Sequence, residues 1–309
     1  MRVLVTGGAG FIGSHVVDAY LAAGHEVAVV DNLATGSRAH LNERASFYQV
    51  DVRDRDALDA VFAKVAPQVV NHHAAEARIG RADADPSLAL SVNVDGTLRV
   101  LECCRKHGAE KVVFVSTAAV YGLPERVPID ETHPLRPATA YGVSKASAEH
   151  LVRWFCDAFG LRYTIFRYAN IYGPRQSAAT EAGVISIFLR QLLEGEEPTI
   201  TWDGEQRRDF TYVGDVVQAN LLVLDRGDGE TLNIGTGVSI SVNEVFATLC
   251  RELGQRIAPR YAPRRRGDPR DSCFDVRRAR DVLGWEPRVS FAEGVRRLIA
   301  HARAETVRY

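Results

Sequence analysis

The sequence predicts an α/β fold, a doubly wound parallel sheet with a smaller C-terminal lobe, and three observations carry that prediction. Short apolar, β-branched runs alternate with helical patterns through the first half of the chain. A glycine-rich turn joins the first run to the first helix, and after about Tyr172 the rhythm changes to longer loops. Strands that are apolar along their whole length are buried on both faces, as parallel strands covered by helices must be.

Residues 2–6 are apolar and β-branched, and 13–23 show helical periodicity ending at Gly24. Residues 25–30 and 46–50 read as strands, 56–65 as a helix and 68–71 as a strand. A long helix over 88–107 is stopped by Gly108 and followed by a strand over 111–116. A second long helix over 141–159 precedes Gly160 and a strand over 162–167. Beyond these, 203–215 and 259–275 mix Arg, Asp, Gly and Pro, with no internal repeat and no low-complexity linker.

Composition narrows the function classes. Of 309 residues, 46% are hydrophobic and 25% charged, and the formal net charge is -1. That balance suits a globular chain and gives no global field toward nucleic acid or an anionic membrane. No apolar run approaches the roughly 20 residues needed to span a bilayer. Strand-like residues begin at Arg2 with no basic leader, so a cytoplasmic setting is expected. Five cysteines, two of them adjacent at Cys103 and Cys104, show no C-x-x-C spacing. Reduced, mostly buried thiols are expected, and no metal.

Val3-Leu4-Val5-Thr6 run directly into Gly7-Gly8-Ala9-Gly10-Phe11-Ile12-Gly13 and then a helix. Glycines at 7, 10 and 13 let the backbone turn sharply, approach a pyrophosphate and pack helix against strand. The helix N-terminus then offers N–H groups and a dipole to the phosphates. Asp31, at the end of the next strand, can accept hydrogen bonds from a ribose and repels the extra phosphate of NADP. The expected ligand is therefore NAD. The expected organisation is a Rossmann-type NAD-binding domain over 1–172, with a returning segment near 211–237, and mainly a substrate-binding lobe over 173–309.

Tyr141 and Lys145 are four residues apart at the start of a helix and share one face. A lysine beside a tyrosine stabilises phenolate, which would lower the tyrosine pKa and make Tyr141 a general base. Ser116-Thr117 closes a strand at the edge where a parallel sheet places its ligands, and a hydroxyl there can hydrogen-bond the same substrate oxygen.

Here the chain resembles the extended short-chain dehydrogenase/reductases, specifically nucleotide-sugar epimerases of the UDP-glucose 4-epimerase type. The likeness runs through T-G-G-A-G-F-I-G-S-H (6–15), D-N-L (31–33), Asp51-Val52, H-H-A-A (72–75) and N-V-D-G-T (93–97). It continues through S-T-A-A-V-Y-G (116–122), Y-G-V-S-K (141–145), R-Y-A-N-I-Y-G-P (167–174), R-R-D-F-T-Y-V-G-D (207–215) and R-x-G-D (265–268). The resemblance implies a catalytic set of Thr117, Tyr141 and Lys145. It also implies cofactor contacts at Gly7, Gly10, Phe11, Ile12, Asp31, Asn32, Asp51, Val52, Ala74, Asn93 and Tyr168, besides Tyr141 and Lys145. Asn170, Arg208, Arg265, Asp268 and Ser272, with Thr117, would meet a nucleotide-sugar substrate, a UDP-hexose by family habit. Without the resemblance, each arginine is better read as a surface ion pair with a neighbouring aspartate.

Within such a family the 4,6-dehydratases carry an Asp–Glu pair after the threonine and the xylose-forming decarboxylases a Glu, whereas this chain has Ala118 and Ala119. Alanine can move no proton, so the resemblance favours 4-epimerisation through transient C4 oxidation. Ser272, four after Asp268, is small where relatives with a tyrosine exclude N-acetyl sugars, so UDP-N-acetylhexosamines are expected substrates as well. Glu76-Ala77-Arg78 departs from the family pattern, and Glu76 needs Arg78 or Arg81 to neutralise it. That departure keeps a uronic-acid or other sugar open, and a non-catalytic dinucleotide sensor is the remaining alternative. By the same resemblance, the helices over 88–107 and 141–159 would pair with a second copy as a homodimer.

Overall fold

The computed structural model describes residues 1–177, 183–264 and 269–306. The chain opens with β1 (Arg2–Thr6), α1 (Phe11–Ala22), β2 (Glu26–Asp31), β3 (Ser46–Gln49), α2 (Arg55–Val65) and β4 (Val69–His72). Next come α3 (Ile79–Ala84), α4 (Pro86–Leu90), α5 (Gly96–His107), β5 (Lys111–Thr117), α6 (Ala140–Phe159), β6 (Arg162–Tyr168) and β7 (Asn170–Tyr172). The second half holds α7 (Val184–Leu193), β8 (Thr199–Thr201), β9 (Arg207–Tyr212), α8 (Val213–Leu222), β10 (Glu230–Ile234) and β11 (Ser239–Ser241). It closes with α9 (Val242–Leu253), β12 (Arg260–Ala262), β13 (Asp271–Ser272), α10 (Arg277–Leu283) and α11 (Phe291–Thr306).

Seven strands in the order β10-β6-β5-β4-β1-β2-β3 make one sheet in which every pairing is parallel. Helices cover both faces, because apolar strand residues point both ways. On one face Val16, Val17 and Tyr20 of α1 meet Val216 and Ala219 of α8. On the other, Phe62, Leu101, Cys104, Val152 and Phe155 of α2, α5 and α6 cover the sheet. This is the doubly wound, Rossmann-type arrangement. The strand order reverses between β1 and β4, and the crevice at their C-terminal ends is where such sheets bind ligands. β10 arrives from far along the chain and pairs with β6 in the register Glu230↔Thr164 to Ile234↔Tyr168.

In the second lobe β9 pairs antiparallel with β11 and parallel with β7 and β13, while β8 and β12 form a separate parallel pair. Its core gathers Phe188, Val245, Leu249 and Val295, and Phe11 from the glycine turn is buried in the same cluster. Burying a phenylalanine contributes about 1.5–3 kcal/mol, so this one ring ties the turn firmly to the lobe.

Side-chain caps set several helix starts. Thr139 accepts from the Gly142 N–H ahead of α6, and Ser241 with Glu244 forms a reciprocal capping box on α9. The helix expected over 88–107 is not uniform. A single π turn, Ser91–Asp95, joins α4 to α5 and carries the buried Asn93. Such a turn shifts the apolar stripe without interrupting it, so periodicity does not register it. The five cysteines are free and buried. Among the described residues no helix is long and apolar enough to cross a membrane, and no cluster of His, Cys, Asp and Glu could hold a metal ion.

Candidate active site

The glycine turn is held from both sides. Gly7 takes φ +69°, and its N–H donates to the Val30 carbonyl at 2.8 Å. A Cβ at Gly7 would lie 2.7 Å from the Ala74 nitrogen, and one at Gly13 only 2.2 Å from the Gly7 carbonyl oxygen. No larger residue fits either position without moving backbone. Gly10 precedes α1 as its capping position, with no side-chain cap, and the first turn of the helix holds no acidic residue. Its positive end therefore stands at the C-terminal end of β1, ready for an anion.

Around this turn sit the other expected cofactor residues. The Asp31 carboxylate accepts from the N–H of Ala9 at 3.0 Å and of Leu33 at 2.8 Å. Burial pushes its carboxyl up, and those two bonds oppose the shift. Asn32 donates to Asp51 at 2.8 Å. The Arg53 guanidinium at 2.8 Å holds the Asp51 carboxyl well below the usual carboxylate range. Val52 is buried, and a Cβ at Gly96 would come within 2.7 Å of it. The Ala74 N–H donates to the Thr6 hydroxyl at 3.2 Å.

Three expected contacts turn out to face elsewhere through their side chains. The Phe11 ring is in the lobe core, which leaves its backbone to line the turn. The Tyr168 ring is buried beneath the sheet end, and its hydroxyl accepts from Asn220 at 2.8 Å. The Asn93 amide donates to Ser144 at 2.8 Å and to the Glu76 carbonyl at 3.1 Å, and accepts from the Glu76 N–H at 2.8 Å. Asn93 thus clamps the segment after β4 onto α6.

At the opening of α6 the Tyr141 phenol stands by the Thr117 hydroxyl, near enough for that hydroxyl to favour the phenolate. Thr117 also accepts from the Ala119 N–H at 3.2 Å, starting a tight turn in which Ala118 and Ala119 present only methyl groups. Ser116 is not an alternative to Thr117, because its hydroxyl donates to Glu149 at 2.5 Å. The electrostatics differ from the sequence expectation. Burial pushes the Tyr141 phenol up to about 12, opposed by the nearby Thr117 hydroxyl. Burial also pushes the Lys145 ammonium down to about 7, opposed by Glu149. Desolvation outweighs any help the lysine gives the phenolate, and the Lys145 ammonium lies over the Phe114 ring at 4.1 Å.

Sequence reasoning missed two buried carboxylates that frame this region. Glu149 binds Arg167 and Arg153 as well as Ser116, anchoring α6 to β5 and β6. Asp209 accepts from the Thr236, Gly237 and Phe274 N–H groups and holds β9 against the loops after β10 and β13. An acid inside an otherwise apolar or arginine-rich stretch is the only signal either leaves in the sequence.

On the substrate side, Arg208 and Ser272 are direct partners across β9 and β13. Arg208 donates to the carbonyls of Arg207 at 2.8 Å and Pro269 at 2.9 Å. Asn170 on β7 donates to the Asp209 carbonyl at 3.2 Å. Arg265 and Asp268 lie outside the described residues. Glu76 has the neutralising partners it needs, Arg78 at 2.7 Å and Arg81 at 3.5 Å. Burial raises its carboxyl, and the arginines outweigh burial and hold it low.

A model of the NAD dependent epimerase/dehydratase family matches residues 3–235. The chain belongs to that family. A putative UDP-glucose 4-epimerase of Methanocaldococcus jannaschii is 42% identical over 96% of this chain and 97% of its own. The UDP-glucose 4-epimerase of Thermotoga maritima, solved with UDP-glucose, superposes with a TM-score of 0.97 at 43% identity, covering 99% of this chain and 100% of that one. The Thermus thermophilus UDP-glucose 4-epimerase, solved with NAD, gives a TM-score of 0.93 at 42% identity over 98% and 99%. NAD is the cofactor of this family member, and the uncapped helix start, the packed glycine turn and the carboxylate at the end of β2 suit it.

Proposed function

We propose that this nucleotide-sugar 4-epimerase interconverts UDP-glucose and UDP-galactose by oxidising C4 and reducing it from the opposite face. The observation that carries the reading is a tyrosine in the first turn of α6 beside Thr117, which opens a turn whose next two residues are alanines. A base and a hydroxyl partner stand there, and the two turn positions that would carry an acid for elimination hold alanines. Its relatives at 42–43% identity are named as UDP-glucose 4-epimerases, which supports the same reaction.

When bound, oxidised NAD supplies a hydride acceptor and a positive charge in the crevice. Its diphosphate would rest on the glycine turn through the backbone of Gly10, Phe11 and Ile12, with Asp31 taking the adenosine ribose. Asn32, Asp51, Val52 and Ala74 would line the adenosine side, and Lys145 the nicotinamide ribose. Tyr141 takes the C4-hydroxyl proton and later returns it, while the Thr117 hydroxyl holds the same oxygen. A phenol near 12 is a poor base at neutral pH, so cations in the crevice must bring it down. Lys145 is one such cation when protonated. Arg208 and Asn170 would hold the substrate's diphosphate end, the arginine by its forked geometry. Ser272, paired with Arg208, leaves room for an N-acetyl group, so UDP-N-acetylglucosamine is a substrate in this reading.

The reading includes a homodimer. Val143, Trp154 and Phe159 on α6 and Leu90 on α4 are exposed apolar side chains on the two helices that would pair with a second copy.

The purified protein, incubated with each UDP-sugar and no added NAD, tests the function. Conversion of UDP-glucose to UDP-galactose, followed by proton NMR, is the expected result, and absence of conversion in both directions contradicts it. Failure with the N-acetyl sugar alone removes only the extension.

A further inference from the structure

Thr6 of β1 and His72 of β4 are direct partners where the strand order reverses, each the last residue of its strand. From this pair a line of buried hydrogen bonds runs to the helix of Tyr141. His72 Nδ1 is 2.6 Å from the Thr6 hydroxyl, and its Nε2 is 3.0 Å from the Thr97 hydroxyl on α5. Thr97 gives its own proton to the Asn93 carbonyl at 2.7 Å. The Asn93 amide donates to the Ser144 hydroxyl at 2.8 Å, and Ser144 donates to the Tyr141 carbonyl at 2.8 Å.

Every direction along this line is fixed. A carbonyl can only accept, so Thr97 has no proton left for the imidazole and must accept from His72 Nε2–H. Nδ1 is then bare and accepts from Thr6, whose hydroxyl accepts in turn from the Ala74 N–H at 3.2 Å. A single tautomer of neutral imidazole satisfies all of these bonds. Thr6, His72, Asn93, Thr97 and Ser144 are each no more than 1% exposed, so water cannot stand in for a lost partner. An apolar side chain at 72 would fill the space, but it would set no register between β1, α5 and α6.

Thr6 leads straight into Gly7, and Ser144 lies between Tyr141 and Lys145. The line therefore joins the turn that would carry the dinucleotide to the first turn of the helix that carries the proposed base. We propose that His72 is a positioning residue, holding the glycine turn in register with Tyr141 so that hydride acceptor and proton acceptor address the same C4. The inference rests on the roles given to NAD and Tyr141 under the proposed function.

The test compares the parent with His72→Phe, which keeps an aromatic ring without either nitrogen, His72→Gln, which restores a donor and an acceptor, and Thr97→Val, which breaks the line one step on. The readouts are NAD bound per chain, the UDP-glucose dissociation constant and the single-turnover rate per NAD-bound chain. Misplacing reacting groups by about 1 Å costs on the order of 10²-fold, so the rate should fall roughly tenfold or more in His72→Phe and Thr97→Val. NAD content and UDP-glucose affinity stay within about twofold of the parent, and His72→Gln recovers part of the rate. A smaller loss of rate in either broken variant that folds marks a merely structural role and overturns the assignment. So does a loss of NAD or UDP-glucose binding beyond about twofold, or a His72→Gln protein as slow as His72→Phe. A parent that converts no UDP-glucose overturns the proposed function itself, and the part given to His72 with it.

Discussion

Substituting Glu149→Gln isolates the buried ion network behind the proposed catalytic residues. The Glu149 carboxylate is 0% exposed and accepts from Arg167 at 2.7 and 3.0 Å, from Arg153 at 2.8 Å and from Ser116 at 2.5 Å. Glutamine keeps the shape but removes the charge and turns an amide NH2 toward a donor. Arg167, only 3% exposed, then keeps a buried charge with no counter-charge. Breaking one side of such a pair costs about 3–5 kcal/mol, a large share of a typical domain's stability. Urea unfolding at neutral pH measures it as a lower midpoint with an unchanged slope. The pH dependence has a definite sign. Burial raises the Glu149 carboxyl, but the Arg167 hydrogen bonds and charge, with Ser116 and Arg153, outweigh it and hold the group below its usual 4.5. The stabilisation is therefore present above about pH 4.5 and is lost as pH falls through the lower folded value. The gap between parent and variant should narrow on acidification. A loss under about 1 kcal/mol at neutral pH refutes the view that this network anchors α6.

Two further substitutions read other parts of the molecule. Lys145 is pushed down to about 7 by burial, so its charge opposes folding fully below about pH 7, and that cost fades toward its ordinary 10.5. Lys145→Met should accordingly be more stable than the parent near pH 6, by about 1.4 kcal/mol for each unit of depression, with the gain vanishing near pH 10; a less stable variant at pH 6 contradicts the burial argument. Trp154 is 60% exposed on α6, and Trp154→Glu should convert the proposed dimer to a monomer in size-exclusion chromatography with light scattering; an unchanged mass places the interface elsewhere.

The sheet was legible because its signal is local. Mostly apolar strands of four to seven residues, interspersed with long helices, leave few arrangements other than a doubly wound parallel sheet. The second lobe was not, since β7, β8, β11 and β12 have three residues each and β13 two, too short to show any period. Within the site, spacing found Tyr141, Lys145 and the glycine turn, whose geometry is set within one helix or one turn. By residue chemistry alone Ser116 and Thr117 looked equivalent; the resemblance chose Thr117, and the position of Glu149, 33 residues on, shows why Ser116 is occupied elsewhere. Phe11 and Asn93 carry motif identities that say nothing of where their side chains point. The direction of the Tyr141 shift failed for a related reason: spacing shows that a lysine is near, but not how dry the pair is.

The central claim is that Tyr141 moves the proton of the C4 hydroxyl. Tyr141→Phe removes that one oxygen and nothing of the glycine turn. The measurement is the single-turnover rate of UDP-galactose formation from UDP-glucose, alongside the NAD bound per chain. General acid–base catalysis contributes roughly 10²–10⁴-fold, so the rate should fall by about that factor with NAD content unchanged. A rate within tenfold of the parent, at equal NAD content, would contradict the account.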